Sequence, residues 1–174
     1  KILQDEVVSS PNWSIIVLRY FNPVGNDPSC LLGEDPNGIP NNLMPLINQA
    51  AFNTKKLTVF GADYDTPDGS AIRDYIHVSD LAKGHVNSVE KILKDEGGLK
   101  TFNLGMGQGI SVLDFIDIYQ SVNDVAIDYE IGGRRAGDLP ICYADNRLAK
   151  QELGWHPVFT HHDMCKHAYQ WMKH

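Results

Sequence analysis

Cysteine, positive charge and long apolar runs are all scarce in this sequence, and each scarcity argues against a class of protein. Its three cysteines, Cys30, Cys142 and Cys165, are an odd number without paired metal-ligand spacing. That argues against a disulfide framework and favours reduced thiols in a reducing compartment, with the cytoplasm as default. Fifteen Lys and Arg stand against 22 Asp and Glu, a formal charge of -7. No nucleic-acid footprint is therefore expected, and any phosphate site must be a local device for a small anion. No apolar run approaches ~20 residues and no charged-then-apolar leader opens the chain, so neither a membrane span nor a secretory signal is expected. Internal repeats and low-complexity tracts are missing too. At 174 residues and 43% hydrophobic content, the chain is large enough for one domain with its own core. It opens at Lys1 without a Met, and Ile2, Leu3 and Val7 are spaced like the tail of a helix already under way, so a piece of a longer protein is expected.

After turn chemistry at Ser9-Ser10-Pro11-Asn12, the near-continuous apolar run from Trp13 to Tyr20 predicts a strand buried on both faces, as in a parallel sheet. It leads through Phe21-Asn22-Pro23-Val24-Gly25 into a loop rich in Gly, Pro, Asn and Asp that reaches Pro40. Ligands of open α/β sheets sit beyond the carboxyl ends of strands, so Asn22 is either a ligand-binding amide or the start of a turn before Pro23. Asn41 and Asn42 precede the helical stripe Leu43, Met44, Ile47, Ala50 and Ala51. An Asn cap is expected, together with backbone N–H groups open to an anion or a polar base edge. Leu57 to Phe60 predicts a short strand ended by Gly61.

The stretch from Ser70 to Asp80 reads as one strand-to-helix junction, with Ser79 and Asp80 placed to cap the helix that follows. Within it, Arg73 is either a rigid fork of donors for a phosphate or carboxylate, or one half of a surface ion pair with Asp74. Ala82, His85, Val86, Val89, Ile92 and Leu93 fall at helical spacing up to Gly97-Gly98, and His85 has no second titratable group spaced to meet it. Gly105-Met106-Gly107-Gln108-Gly109 looks like a dinucleotide loop. Ile110 stands where its third glycine belongs, however, and it comes late in the chain, so a tight turn is expected. Ser111 and Asp114 fit a capping box for a helix carrying Phe115, Ile116 and Tyr119. A strand is expected at Val125 to Tyr129, and Arg134-Arg135 between glycines is a second cationic site or a solvated turn. Asp145 is placed to cap a short helix through Leu148, Ala149 and Leu153, stopped by Gly154. A last helix carries Met164, Cys165, Ala168, Trp171 and Met172 on one face. His156, His161, His162, His167 and His174 are not at ligand spacing, so no metal is expected.

Four ordered stretches, Arg19 to Gly25, Gly38 to Leu43, Arg73 to Leu81 and Arg134 to Asp138, resemble the UDP-glucose 4-epimerase family of the extended short-chain dehydrogenase/reductases. The likeness runs from Lys1 to about Trp171. It implies an α/β fold, with a partial Rossmann-type sheet strand plus a smaller mixed α/β substrate-binding domain. Residues 1–24 would be a remnant of the NAD-binding domain, and residues 25–174 a UDP-sugar-binding C-terminal domain from which elements can return to the Rossmann sheet. By the same resemblance Phe21, with Tyr20 near it, would lie beside the nicotinamide of NAD, and Asn22 would bind the diphosphate-sugar. Asn42 and Leu43 would grip the substrate at a helix start, while Thr58, Val59 and Phe60 would pack uracil. Arg73 and Arg135 would clamp the diphosphate, and Asp138 would accept from the uridine ribose.

Cys142 would form a wall of the sugar pocket, where a small residue goes with acceptance of N-acetylated sugars. The family's glycine-rich fingerprint and its Tyr-x-x-x-Lys pair are absent, and by alignment Lys1 begins a few residues after that Lys. The catalytic base, which takes the proton of the sugar 4-hydroxyl as hydride passes to NAD and back to the other face of a 4-keto sugar, is therefore not in this sequence. The parent is expected to be an NAD-dependent, cytoplasmic, homodimeric epimerase, with this segment alone inactive. A 4,6-dehydratase or uronate epimerase of the same superfamily, or a UDP-sugar-binding module without turnover, are the alternatives.

Overall fold

The computed structural model describes residues 1–10, 12–38, 40–52, 55–94 and 97–174. Pro11 of the expected turn and Ile39 of the second motif lie outside the described residues. Strand β1 (Ser14–Tyr20) runs parallel to β6 (Gly98–Leu104), with Ser14 opposite Gly98 and Tyr20 opposite Leu104. A parallel pair requires a long crossover, and this one ends in α3 (Val78–Ile92), which packs on β1, while α5 (Arg147–Leu153) packs on β6. Ile76, Leu81, Phe102, Leu104, Ala149, Leu153 and Trp155 form the core between them. The buried Trp155 indole donates to the Asp80 carbonyl oxygen at 2.8 Å, so its polar edge is satisfied. β1 was expected to be buried on both faces. It is half-buried for most of its length, because among the described residues only β6 lies beside it.

Among the described residues the rest of the chain builds three further sheets around a second core. β2 (Asn22–Val24) pairs in parallel with β5 (Tyr75–His77), and β3 (Leu57–Phe60) with β8 (Tyr129–Gly132). β4 (Ile72–Arg73) lies between β7 (Ile110–Ser111), antiparallel to it, and β9 (Ile141–Cys142), parallel to it. Helices α2 (Leu43–Ala51), α4 (Val112–Asn123) and α6 (His161–Trp171) contribute Met44, Ile47, Phe115, Ile116, Met164 and Cys165 to that core, and Tyr75 stacks on Phe115 at 4.2 Å. Each helix start has a local cause where a side chain takes an orphan N–H. Ser111 accepts from Asp114 N–H, and Thr160 and Asp163 form a reciprocal capping box. Helix α1 (Ile2–Ser9) buries none of its residues.

Several boundaries differ from expectation. The predicted strand at 125–129 begins instead at Tyr129, where the ladder with Leu57 starts, and Ile127 is buried in the core ahead of it. The cap of α3 is His77, whose Nδ1 accepts from Ser79 N–H at 3.0 Å, so neither Ser79 nor Asp80 caps; Asp80 accepts from Val158 and Phe159 N–H. That helix stops at Ile92, short of Gly97. Asn146 rather than Asp145 precedes α5, and the Asp145 side chain accepts from Arg147 N–H one position further on. The 70–80 stretch is broken at Asp74, so β4 and β5 belong to different sheets.

Candidate functional site

The break at Asp74 sets up the site. Asp74 is fully buried, and its carboxylate accepts N–H bonds from Met106 at 2.7 Å, Gly107 at 2.9 Å and Ala144 at 3.0 Å. Burial pushes its pKa above the ordinary carboxylate value, and the three N–H bonds oppose that rise. The 105–107 loop is therefore a cradle for a protein carboxylate: a Cβ on Gly105 would stand 2.7 Å from Asp74 Oδ2. Asp74 is not the partner of Arg73, and the surface ion pair read as one alternative for the two residues is absent.

Arg73 lines a cavity of about 210 Å³ instead. Its Nη1 donates to the carbonyl oxygens of Ile72 at 2.9 Å and Leu139 at 2.8 Å, and its Nη2 lies 3.6 Å from Asp138 Oδ1. The same cavity takes Asn22 from β2, Asn42 and Leu43 from the start of α2, Thr58, Val59 and Phe60 from β3, and Arg135 and Asp138 from the segment after β8. Nine of the ten residues that the resemblance named for substrate thus line one cavity, and Cys142 does not. Cys142 is a free, half-buried thiol beside it, paired with Arg73 in the β4–β9 ladder. The Arg135 guanidinium lies over the Phe60 ring, 4.0 Å from its centre. Asn42 was expected to cap α2 with its side chain. Its amide donates to Glu34 Oε1 at 3.0 Å instead, and α2 has no side-chain cap.

Tyr20 and Phe21 stand outside this cavity, at the end of β1. The Tyr20 hydroxyl meets His85 Nε2 at 2.6 Å, and His85 Nδ1 lies 2.9 Å from the Leu81 carbonyl oxygen. A carbonyl only accepts, so Nδ1 carries the proton and Tyr20 donates to Nε2. His85 therefore has the titratable partner that its own helix does not supply. His167 meets another histidine, His77, at 3.0 Å, and among the described residues no group of three or more His, Cys, Asp or Glu could hold a metal ion.

Sequence reasoning missed Tyr75, Leu46 and Val112 as walls of the cavity, and Glu34 as the partner of Asn42. For Tyr75 a signal existed, since it lies two residues beyond Arg73 in the same motif; for the others the relation is purely spatial. A second, mostly apolar cavity of about 420 Å³, bordered by Pro23 to Asp27, Leu32 to Glu34 and the first turn of α3, adjoins the first through Asn42. Two guanidiniums, the amides of Asn22, Asn41 and Asn42, a carboxylate and apolar walls are groups that hold an anion and a flat ring in place. Among the described residues no helix is long and apolar enough to cross a membrane.

Comparison with known proteins agrees with this architecture. The model of the NAD dependent epimerase/dehydratase family matches residues 2–105. A UDP-glucose 4-epimerase of Pasteurella multocida is 48% identical over 174 residues, 99% of this chain and 51% of the relative. The crystal structure of UDP-glucose 4-epimerase from Bifidobacterium longum in complex with NAD+ and UDP superposes with a TM-score of 0.94 at 49% identity, covering 99% of this chain and 51% of that one. The UDP-glucose 4-epimerase of Stenotrophomonas maltophila with bound NAD and formylated UDP-arabinopyranose gives 0.94 at 43%, again covering 99% and 51%. The chain spans about half the length of the curated relatives it matches. With a family match across more than half its residues and the mixed α/β fold of the solved relatives, the chain belongs to the NAD dependent epimerase/dehydratase family.

Proposed function

We propose that this chain is the substrate-binding half of a UDP-glucose 4-epimerase, and that its cavity holds the UDP part of UDP-glucose and UDP-galactose. The observation that carries the reading is the meeting of Arg73, Arg135, Asp138, Asn22 and Asn42 on one cavity of about 210 Å³, from positions up to 116 residues apart (138 minus 22). Arg73 and Arg135 face the diphosphate from two sides, each charge-assisted bond contributing about 1.5–3 kcal/mol. Thr58, Val59 and Phe60 pack the uracil, Leu43 and the free N–H groups at the start of α2 take up substrate oxygens, and Asp138 accepts from the ribose. Cys142, on the neighbouring strand, borders the sugar. This division of labour makes residues 1–24 and the strand at 98–104 the edge of the NAD-binding sheet, and the remainder the substrate domain.

Phe21 and Tyr20 offer a ring face and a hydroxyl at the carboxyl end of a parallel strand, which fits the nicotinamide end of NAD. The rest of a dinucleotide has no counterpart at Gly105 to Gly107, where Asp74 takes the loop N–H groups. NAD, when bound, supplies the acceptor and donor of hydride at the sugar; this chain's part is to bind and orient the nucleotide.

The test is turnover by the full-length protein. UDP-galactose should yield UDP-glucose without net consumption of NAD. A dehydrated product, or turnover of UDP-glucuronate alone, would assign another nucleotide-sugar enzyme, and UDP binding without any product would leave a binding module.

A further inference from the structure

Arg134 and Arg135 follow one another after β8, yet they are held in different ways. Arg134 Nε donates to Asp63 Oδ1 at 2.7 Å, its Nη2 donates to the Asp63 carbonyl oxygen, and its guanidinium carbon lies 4.4 Å from the centre of the Tyr64 ring. Gly61 makes room for this grip. It sits at φ +82°, and a Cβ there would stand 2.5 Å from Tyr64 Cε2 and 3.1 Å from Arg134 Cγ. The Arg135 side chain, by contrast, makes no hydrogen bond or ion pair among the described residues, and its contact is the face of Phe60 at 4.0 Å. The other cation of the cavity, Arg73, is already fixed by two carbonyl oxygens and Asp138.

We infer that Arg134 is a positioning residue for ligand binding: its clasp on Asp63 and Tyr64 fixes the backbone from which Arg135 reaches over Phe60 into the cavity. The inference rests on the diphosphate reading of the site. From Gly133 to Pro140 the connection between β8 and β9 is exposed along its whole length, and Gly133 and Gly137 have open space where a side chain would be. A segment with so little packing is ordered by its few tethers. An arginine on an untethered segment would lose backbone as well as side-chain freedom on binding an anion, and that loss subtracts from affinity. The clasp removes the backbone part of the loss before ligand arrives. Arg134 is not among the residues that line the cavity, so its effect on ligand passes through Arg135.

The experiment uses the full-length protein, with UDP binding measured by calorimetry and steady-state kinetics with UDP-galactose. Arg134→Ala should raise the Kd for UDP and the KM about tenfold while kcat at saturation changes less than about twofold, because uniform binding is what is lost. Arg134→Lys keeps a cation on Asp63 and should recover part of the affinity. Asp63→Asn should raise Kd in the same direction, and the double variant Arg134→Ala/Asp63→Asn should be no weaker than Arg134→Ala, since one contact is broken in both. If Arg134→Ala does not fold, Arg134→Lys and Asp63→Asn carry the same comparison. A lowered Tm with unchanged Kd and KM overturns the inference. Wild-type protein that neither binds UDP nor turns over UDP-galactose overturns the reading beneath it, a result distinct from wild type that binds beside variants that bind equally well.

Discussion

The Asp74 carboxylate accepts the backbone N–H of Met106 at 2.7 Å and so serves the backbone, while the neighbouring Arg73 bonds two carbonyl oxygens and lines the cavity. Two adjacent residues of opposite charge divide their work. One ties the broken strand to the 105–107 loop and to Ala144, and the other turns its guanidinium toward Asp138 and the space beside it. Of the glycines that look like a phosphate loop, Gly105 is the one whose missing side chain lets this carboxylate approach the backbone closely, while a Cβ on Gly107 would meet the Asn146 amide.

Asp74→Asn tests that account. An amide in place of the carboxylate would point two donors at N–H groups and leave at least one of three buried bonds unmade. The expected loss is about 2–4 kcal/mol of stability, read as a lower denaturation midpoint of the full-length protein. UDP affinity should fall with it, because β4 carries Arg73 and meets its neighbours on either side of this anchor. A variant as stable as wild type would show that the loop is held by something other than Asp74.

The two cavity arginines should separate stability from binding. Arg73 satisfies two carbonyl oxygens and faces Asp138, so Arg73→Ala should lower both Tm and UDP affinity. Among the described residues the Arg135 side chain has no partner beyond the Phe60 ring, so Arg135→Ala should leave Tm near wild type while weakening UDP by about 1.5–3 kcal/mol, roughly 10- to 150-fold. Calorimetric titration with UDP beside thermal denaturation of both variants decides it. Equal Tm losses would contradict the difference in how the two side chains are held.

What could be read from the sequence followed the motifs, and what could not lay in contacts between distant elements. Arg73, Asn22 and Asn42 are conspicuous because each sits where a strand or helix terminus meets a loop. The partners of Asp74 lie 32, 33 and 70 residues away and have no spacing that would single them out. The same holds for Tyr20 and His85, 65 residues apart, and for Asn42 turning to Glu34 rather than to its own helix. The strand expected at 125–129 shifted to Tyr129 because pairing with β3, not local apolar content, decides where the ladder begins.

Buried histidine gives the fold a pH dependence. His77 is fully buried between Phe159 and His167, its Nδ1 accepts from Ser79 N–H, and burial, with His167 opposite, pushes its pKa down to about 4 from 6.5. His167 is shifted down as well, by burial first, while Asp163 and Asp27 pull the other way. A depressed pKa means that the unfolded chain binds the proton more readily. Stability from His77 is therefore fully present above about pH 6.5 and is lost as pH falls toward about 4, up to about 3 kcal/mol. Denaturation midpoints of the full-length protein from pH 7.5 to 4 should fall along that window. His77→Asn, which can still accept from Ser79 N–H, should start lower and fall less steeply, and a wild-type profile that stays flat to pH 4 would contradict the burial of a neutral ring.

Cys142 offers a test of substrate range. It is the register partner of Arg73 in the β4–β9 ladder, and paired residues in a ladder project from the same face, so it faces the side of the sheet that carries the cavity. On the proposed reading, the sugar of a bound UDP-sugar extends past this small side chain. Turnover of UDP-GlcNAc and UDP-GalNAc by the full-length protein is therefore expected alongside the plain hexoses. Cys142→Tyr puts a ring there, which should exclude the N-acetyl group by steric overlap while leaving the 2-hydroxyl sugars able to bind. Product analysis with both pairs of substrates reads the outcome. Loss of the acetylated pair alone supports a steric wall at this position, whereas equal loss of both pairs would mean that the substitution disturbs Arg73 rather than the sugar.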